Sequence, residues 1–271
     1  MTENFGMDFL RKYIIDPLNN NIYGLRQVTK KIGYLEAIDG LFLRGIEEPL
    51  LWRLFTTQYG LEISDIEHLE TFTSKGALFV ANFQSVLDPI ICGISIMHKM
   101  KKIPYHVLPM RLGVDSMMMN LVRINQAIFS RTADLEENAI EECIEHLEQH
   151  KWIILYPEMR PNRGNGNLLP FYPEYIRVAF ESRVPIIPLA IFGTDRVFGP
   201  KMKIPAIKGK ILLRFGKPLL PDSLFKESPE LDYRLLKKIN KKVKRKIKSL
   251  WSNLWAEVED RKKENQSGSI N

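Results

Sequence analysis

The amino-acid sequence predicts an α/β fold with a mainly parallel central sheet flanked by helices. Three observations carry that expectation. From Lys75 onward, short apolar runs of strand length alternate with amphipathic segments of helix length, the pattern of β-α units around a parallel sheet. Several of those runs lead straight into polar clusters, as strands of open parallel sheets do where ligands bind. A hydrophobic content of 45% over 271 residues is enough for one sizeable core.

The elements follow in chain order. Residues 1–70 read as a helical N-terminal segment, in which Phe5, Phe9, Leu10, Ile14 and Leu18, then Leu35, Ile38, Leu41 and Phe42, fall near helical spacing. Such helices pack on their own domain or lie in a lipid interface. Residues 71–222 form the α/β core. Its expected strands are Ala77–Ala81, Pro104–Leu108, Ala127–Ser130, Trp152–Tyr156, Pro185–Phe192 and Ile211–Phe215. A helix is expected from Asp134 to His150, where Asp134 and Glu137 have capping-box spacing and Leu135, Ile140, Ile144 and Leu147 make a stripe. Another opens at Pro173, a good first-turn residue, and residues 160–167 read as an exposed loop. Residues 223–271 hold a basic amphipathic helix, Leu231 to about Lys263, and a polar tail. Leu235, Ile239, Val243, Ile247, Leu250 and Leu254 share one face of it, while Lys237, Lys238, Lys241, Lys242, Lys244, Arg245, Lys246 and Lys248 crowd elsewhere.

Charge and cysteine usage narrow the function classes. Lys and Arg outnumber Asp and Glu by 39 to 32, a formal charge of +7, which favours an anionic partner: phospholipid headgroups, a CoA-like substrate or nucleic acid. No zinc-finger spacing or aromatic RNA-binding signature supports the last, so nucleic acid is not expected. Cys92 and Cys143 stand singly, which argues against a disulfide framework and a zinc site and for a reducing compartment. Residues 1–18 carry Asp8, Arg11, Lys12 and Asp16 where a secretory signal has an uninterrupted apolar run. The nearly uncharged stretch Gly76 to Met97 has spanning length, but Asn82, Gln84, Ser85, Asp88 and Pro89 interrupt it, so no transmembrane helix is expected.

The candidate site residues lie just beyond the strands. The first core strand runs into Asn82-Phe83-Gln84-Ser85-Val86-Leu87-Asp88-Pro89, the third into Ser130-Arg131-Thr132, and the fourth into Pro157-Glu158-Met159-Arg160, with Arg163 after it. Together they offer a carboxylate, hydroxyl and amide donors, and arginines suited to phosphate. Each also has a plain structural reading. Asp88 before Pro89 suits a helix N-cap, a lone arginine suits the surface, and Glu158 suits an ion pair. Joint placement at strand ends favours the functional reading.

These residues resemble the glycerol-3-phosphate and lysophosphatidate acyltransferase family, whose pattern is N-H-x-x-x-x-D, G-x-x-x-I-x-R, F-P-E-G-x-R and a V-P-I-I-P-V strand. The resemblance covers about residues 75–220. Asn82, Ser85, Asp88 and Pro89 match the first block, Phe129 and Arg131 the second, Tyr156-Pro157-Glu158 the third, and Val184-Pro185-Ile186-Ile187-Pro188-Leu189 the fourth. Gly216-Lys217-Pro218 resembles the G-x-P that follows a late strand. Phe83 stands at the family histidine, Met159 at the glycine of the third block, Pro161 at its arginine and Asn125 at the glycine of the second.

The resemblance implies an acyltransferase-like fold and an acyl-transfer site. In the family a histidine takes the proton of an acceptor hydroxyl, an aspartate orients it, and the hydroxyl attacks the acyl thioester of CoA or a carrier protein. Carried over, Asp88 and Phe83 hold the catalytic positions, and Asn82, Gln84, Ser85, Arg131, Glu158, Arg160 and Arg163 are the expected substrate or phosphate contacts. Phenylalanine cannot accept a proton, and removing a general base typically costs about 10²–10⁴-fold. The expectation is a peripheral protein at the cytoplasmic face of a membrane that binds an acyl-CoA or acyl-carrier-protein thioester, a lysophospholipid or glycerol phosphate, with transfer lost or impaired. No bound cofactor or metal is expected. The alternative is an active acyltransferase using another base, and His106, on an expected central strand, reads better as a buried structural histidine than as that base.

Overall fold

The computed structural model describes residues 45, 48–109, 126–131, 135–162, 167–199, 202, 206–226 and 230–268, with side chains as far as Glu264. Seven strands form one sheet in the order β1-β7-β6-β2-β5-β3-β4. They are β1 Glu62–Ser64, β2 Ala77–Ala81, β3 Tyr105–Pro109, β4 Ala127–Ser130, β5 Trp152–Leu155, β6 Ile186–Phe192 and β7 Leu212–Phe215. Strands β2, β5, β6, β3 and β4 run parallel, while β7 pairs antiparallel with β6 and takes β1 parallel beside it. The fold is therefore the mainly parallel α/β arrangement expected from the sequence. One strand escaped that reading: β1 lies in the stretch taken as helical, because three residues with a single apolar side chain, Ile63, carry no periodicity.

The helices are α1 Glu48–Gln58, α2 Asp88–Met100, α3 Glu137–Glu148, α4 Tyr175–Glu181, α5 Thr194–Val197, α6 Pro221–Phe225 and α7 Tyr233–Gly268, with a 3-10 turn at Ile66–Phe72. They cover both faces of the sheet. On β2, Phe79 packs in the cluster with Ile90, Ile91 and Ile94 of α2. Leu78 and Val80 face the opposite cluster, built by Ala139, Ile140, Cys143 and Leu147 of α3, by α4, and by Ile239, Val243 and Ile247 of α7. All five β2 residues are buried. A strand covered on both sides reads as a continuous apolar run rather than an alternation, which is why Ala77–Ala81 was legible to the residue.

Several local expectations shift. Helix α3 starts at Glu137 behind an extended Glu136 with no side-chain cap, so Glu137 is the first helical residue and not the third position of a capping box. Asp134 and the expected helices of residues 1–44 lie outside the described residues. Pro173 precedes α4 by two residues, its carbonyl accepting the Ile176 N–H at 3.0 Å. Helix α7 begins where the Asp232 carboxylate accepts the Leu235 N–H at 2.7 Å. Among the described residues no helix is long and apolar enough to cross a membrane.

Candidate active site

Parallel strands bring their C-terminal ends to one edge of the sheet. Strand β2 sits between β5 and β6, so the segments that leave these three strands, 82–88, 156–160 and 193–199, meet. Asn82 fastens β2 to β6: its Nδ2 donates to the Ile191 carbonyl at 2.9 Å and its Oδ1 accepts the Ile191 N–H at 2.8 Å. Ser85 Oγ donates to the Phe198 carbonyl at 2.5 Å and accepts the Leu87 N–H at 3.1 Å, tying the same loop to the segment after β6.

Asp88 is fully buried at the first residue of α2. It does not cap that helix forward, as the plain reading held. Its Oδ2 reaches back to accept the N–H groups of Gln84 at 2.6 Å and Ser85 at 3.0 Å, which closes the loop on itself. Burial raises its pKa to about 7, opposed by the nearby Thr194 hydroxyl and the two backbone N–H groups and assisted by Asp195. No donor reaches Oδ1 in hydrogen-bonding geometry, and Thr194 Oγ1 and Gln84 Oε1 are equally unsatisfied among the described residues. Among the described residues, three unpaired polar atoms thus belong to the 82–88 loop and to the first residues of α2 and α5.

Phe83 has no exposed surface, and its ring packs 4.9 Å from that of Tyr156. The backbone at Phe83 is held as firmly as the ring: its N–H donates to Glu158 Oε1 at 2.9 Å and its carbonyl accepts the Asn162 N–H at 2.7 Å. Glu158, also buried, accepts from Leu169 N–H at 2.8 Å and Asn162 Nδ2 at 3.2 Å through Oε2. Its two oxygens therefore bind three protein donors and pin the third-block loop to the first. Burial pushes its pKa up, against those three bonds and the charge of Lys244. Lys244, delivered from α7, donates to the Leu169 carbonyl at 2.7 Å.

Behind Phe83 lies a second buried layer. The Tyr156 hydroxyl stands 3.4 Å from His106 Nδ1 and interacts with the Cys92 thiol. Burial lowers the His106 pKa to about 3, so it is neutral at physiological pH, and it raises those of Cys92 and Tyr156. His106 is the histidine in contact with this cluster, through Tyr156. His98 pairs instead with Glu48 at 2.5 Å and stacks on Trp52, and His146 stacks on Tyr105. Asp88 thus has no imidazole hydrogen-bonded to it. The arrangement has a carboxylate able to exchange a proton near neutral pH, in the same loop as a phenylalanine that packs against Tyr156.

The arginines are less concentrated. Arg131 follows β4, three strand positions from β2, roughly 14 Å across the sheet at about 4.8 Å per strand. It is exposed, and its N–H donates to Glu136 Oε1 at 3.2 Å. Arg160 is exposed as well. Arg163 and Asn125 lie outside the described residues. Met159 adopts φ +52° while buried, the left-handed backbone that glycine takes without strain. Sequence reasoning missed Thr194 and the Tyr156–His106–Cys92 layer. The strand-end rule that found Asn82 and Glu158 also points to Gly193-Thr194-Asp195 after β6. The buried layer has no such signal, because it joins residues 50 positions apart.

Residues 60–192 match the Acyltransferase family model. That stretch contains β1 through β6 and the described site residues expected from the sequence, while Thr194 and Lys244 lie beyond it. In fold, the chain is similar to the crystal structure of the 1-acyl-sn-glycerophosphate (LPA) acyltransferase PlsC from Thermotoga maritima, with a TM-score of 0.62 and 20% sequence identity over 91% of this chain and 98% of that one. No curated protein matches the sequence. The family model covers the α/β core and the solved structure shows a PlsC-like fold, and both agree with the resemblance carried by the four sequence blocks.

Proposed function

We propose that this chain is a peripheral membrane protein of the glycerophospholipid acyltransferase kind. It binds an acyl-CoA or acyl-carrier-protein thioester, a lysophospholipid or glycerol phosphate, or both, at the cytoplasmic face of a membrane, and its transfer step is lost or impaired. The observation that carries this reading is Phe83. It occupies the family's base position, is fully buried against Tyr156, and leaves Asp88 with no imidazole to orient. An acceptor hydroxyl attacking a thioester must give up its proton as the tetrahedral oxyanion forms, and neither ring in that place takes it.

One observation favours the second reading, transfer with another base. Asp88 titrates at about 7 with one oxygen unpaired, a value suited to proton exchange near neutral pH. Its complete burial behind the Gln84-Ser85 loop counts against direct contact with an acceptor.

The experiment is acyl transfer from a labelled thioester to lysophosphatidate or glycerol phosphate, comparing wild type with Phe83→His at equal folded concentration. The expected result is activity only in Phe83→His, with a gain on the order of 10²–10⁴-fold. Wild-type turnover of about 1–10³ s⁻¹, the ordinary enzyme range, would refute the proposed loss, and its abolition by Asp88→Asn would establish the second reading.

A further inference from the structure

Helix α7 divides its surface sharply. Ile239, Val243, Ile247, Trp251, Leu254 and Val258 are buried against the sheet, so the apolar seam seen in the sequence is used within the fold. Opposite that seam, Arg234, Lys237, Lys238, Lys241, Arg245 and Lys248 are all exposed. At 100° per residue they cluster about the solvent-facing line of the helix, over about 21 Å at 1.5 Å per residue. No acidic residue occurs between Tyr233 and Ala256, against nine basic ones. The contrast with the next turns is plain, where Lys262 pairs with Glu259 and Arg261 with Glu62. Among the described residues none of the six stripe bases makes an ion pair; Lys237 lies over Tyr233 and Arg245 Nε donates to the Lys241 carbonyl.

We infer that this stripe is the docking surface for an anionic phospholipid bilayer. The inference deepens the peripheral-membrane reading above and rests on it. A flat array of unpaired cations complements a flat array of anionic headgroups. Because the apolar seam is already buried, α7 leaves only Tyr233 and Trp255 exposed as large apolar side chains, too little to insert as an interfacial amphipathic helix does. Docking is therefore electrostatic, selective for anionic lipid, and weakened as salt shortens the screening length. Trp255, seven residues after Lys248 and 36% exposed, continues the same side of the helix beyond the bases.

The test is vesicle flotation of the full chain with neutral phosphatidylcholine and with phosphatidylcholine containing about 30% phosphatidylserine, at low and high salt. A stripe variant carries Lys238→Gln, Lys241→Gln, Arg245→Gln and Lys248→Gln. A control variant loses the same charge elsewhere, through Lys75→Gln, Lys99→Gln, Lys217→Gln and Lys226→Gln. A base near an anionic surface contributes about five-fold to partitioning, so the stripe variant should bind anionic vesicles about 10²–10³-fold more weakly. The control should stay close to wild type, and high salt should reduce wild-type binding. If wild type floats but the stripe variant floats equally, or the control falls as far, the stripe is wrong while the peripheral reading stands. If wild type binds neither vesicle, both fail. Wild-type affinity for a single-stranded oligonucleotide exceeding that for the anionic vesicles would also overturn the assignment.

Discussion

Asp88→Asn gives the most quantitative test of the site. The carboxyl is fully buried, and its pKa stands at about 7 against an ordinary value of 3.8. A raised folded-state pKa means that the native protein holds a proton which the unfolded chain releases between about pH 4 and 7. The group's stabilising contribution is therefore complete below about pH 4 and is lost as pH rises through about 7. Each pH unit separating the folded and unfolded values is worth about 1.4 kcal/mol, so the full change is on the order of 4 kcal/mol. Asparagine preserves a side-chain oxygen to accept the Gln84 and Ser85 N–H groups but does not titrate. Denaturant unfolding of both proteins from about pH 4 to about pH 8.5 isolates this contribution, since other groups cancel in the difference. Wild-type stability minus variant stability should fall by about 4 kcal/mol across that range. A flat difference, or one that rises with pH, would refute the placement of Asp88 in an apolar interior with only partial hydrogen bonding.

Two further variants test how the site is pinned. In Glu158→Gln one oxygen becomes an amide nitrogen, so at least one donor among Phe83 N–H, Leu169 N–H and Asn162 Nδ2 loses its acceptor. The expected cost is about 1–3 kcal/mol, read from the urea midpoint, and an unchanged midpoint would show that the carboxylate is not structural. Gly193→Ala places a Cβ 2.0 Å from the Lys210 carbonyl oxygen at φ +90°. The backbone conformation alone costs on the order of 1–3 kcal/mol, so the melting temperature should drop by several degrees at least, and a drop of less than a degree would contradict the close approach of the β6–α5 turn to residue 210.

The sheet was legible where burial is two-sided and the turns are chemically marked. Ala77–Ala81 and Ala127–Ser130 came through to the residue because apolar runs stop abruptly at Asn82 and at Arg131. Glu62–Ser64 did not, because an edge strand of three residues leaves no pattern. The capping box of α3 failed for a related reason: local spacing suggested a bond, but Glu136 turns to the Arg131 N–H and Glu137 to Arg177 of α4. Asn82, Phe83 and Glu158 were picked out by their position at strand ends, and the structure brings their segments together. Their partners were not legible, since the Ile191 backbone and the Leu169 N–H are chosen by tertiary packing across loops that the sequence does not order.

Those partners separate two kinds of motif residue. Asn82 joins β2 to β6, Asp88 closes the loop that opens α2, and Glu158 ties the third-block loop to the first. Each makes buried hydrogen bonds whose loss leaves backbone groups unsatisfied at a cost of about 1–3 kcal/mol apiece, whatever chemistry the site performs. Phe83 differs, because its backbone is held in the same loop while its side chain is an apolar ring that packs against Tyr156. Met159 likewise holds a left-handed turn although it is not glycine. The polar residues that match the sequence blocks are therefore held in place by folding alone, and the proposed loss of transfer rests on the one position, Phe83, that offers no proton acceptor. For that reason the match in sequence blocks and fold speaks for the scaffold and its loops, and turnover must be measured on Phe83 itself.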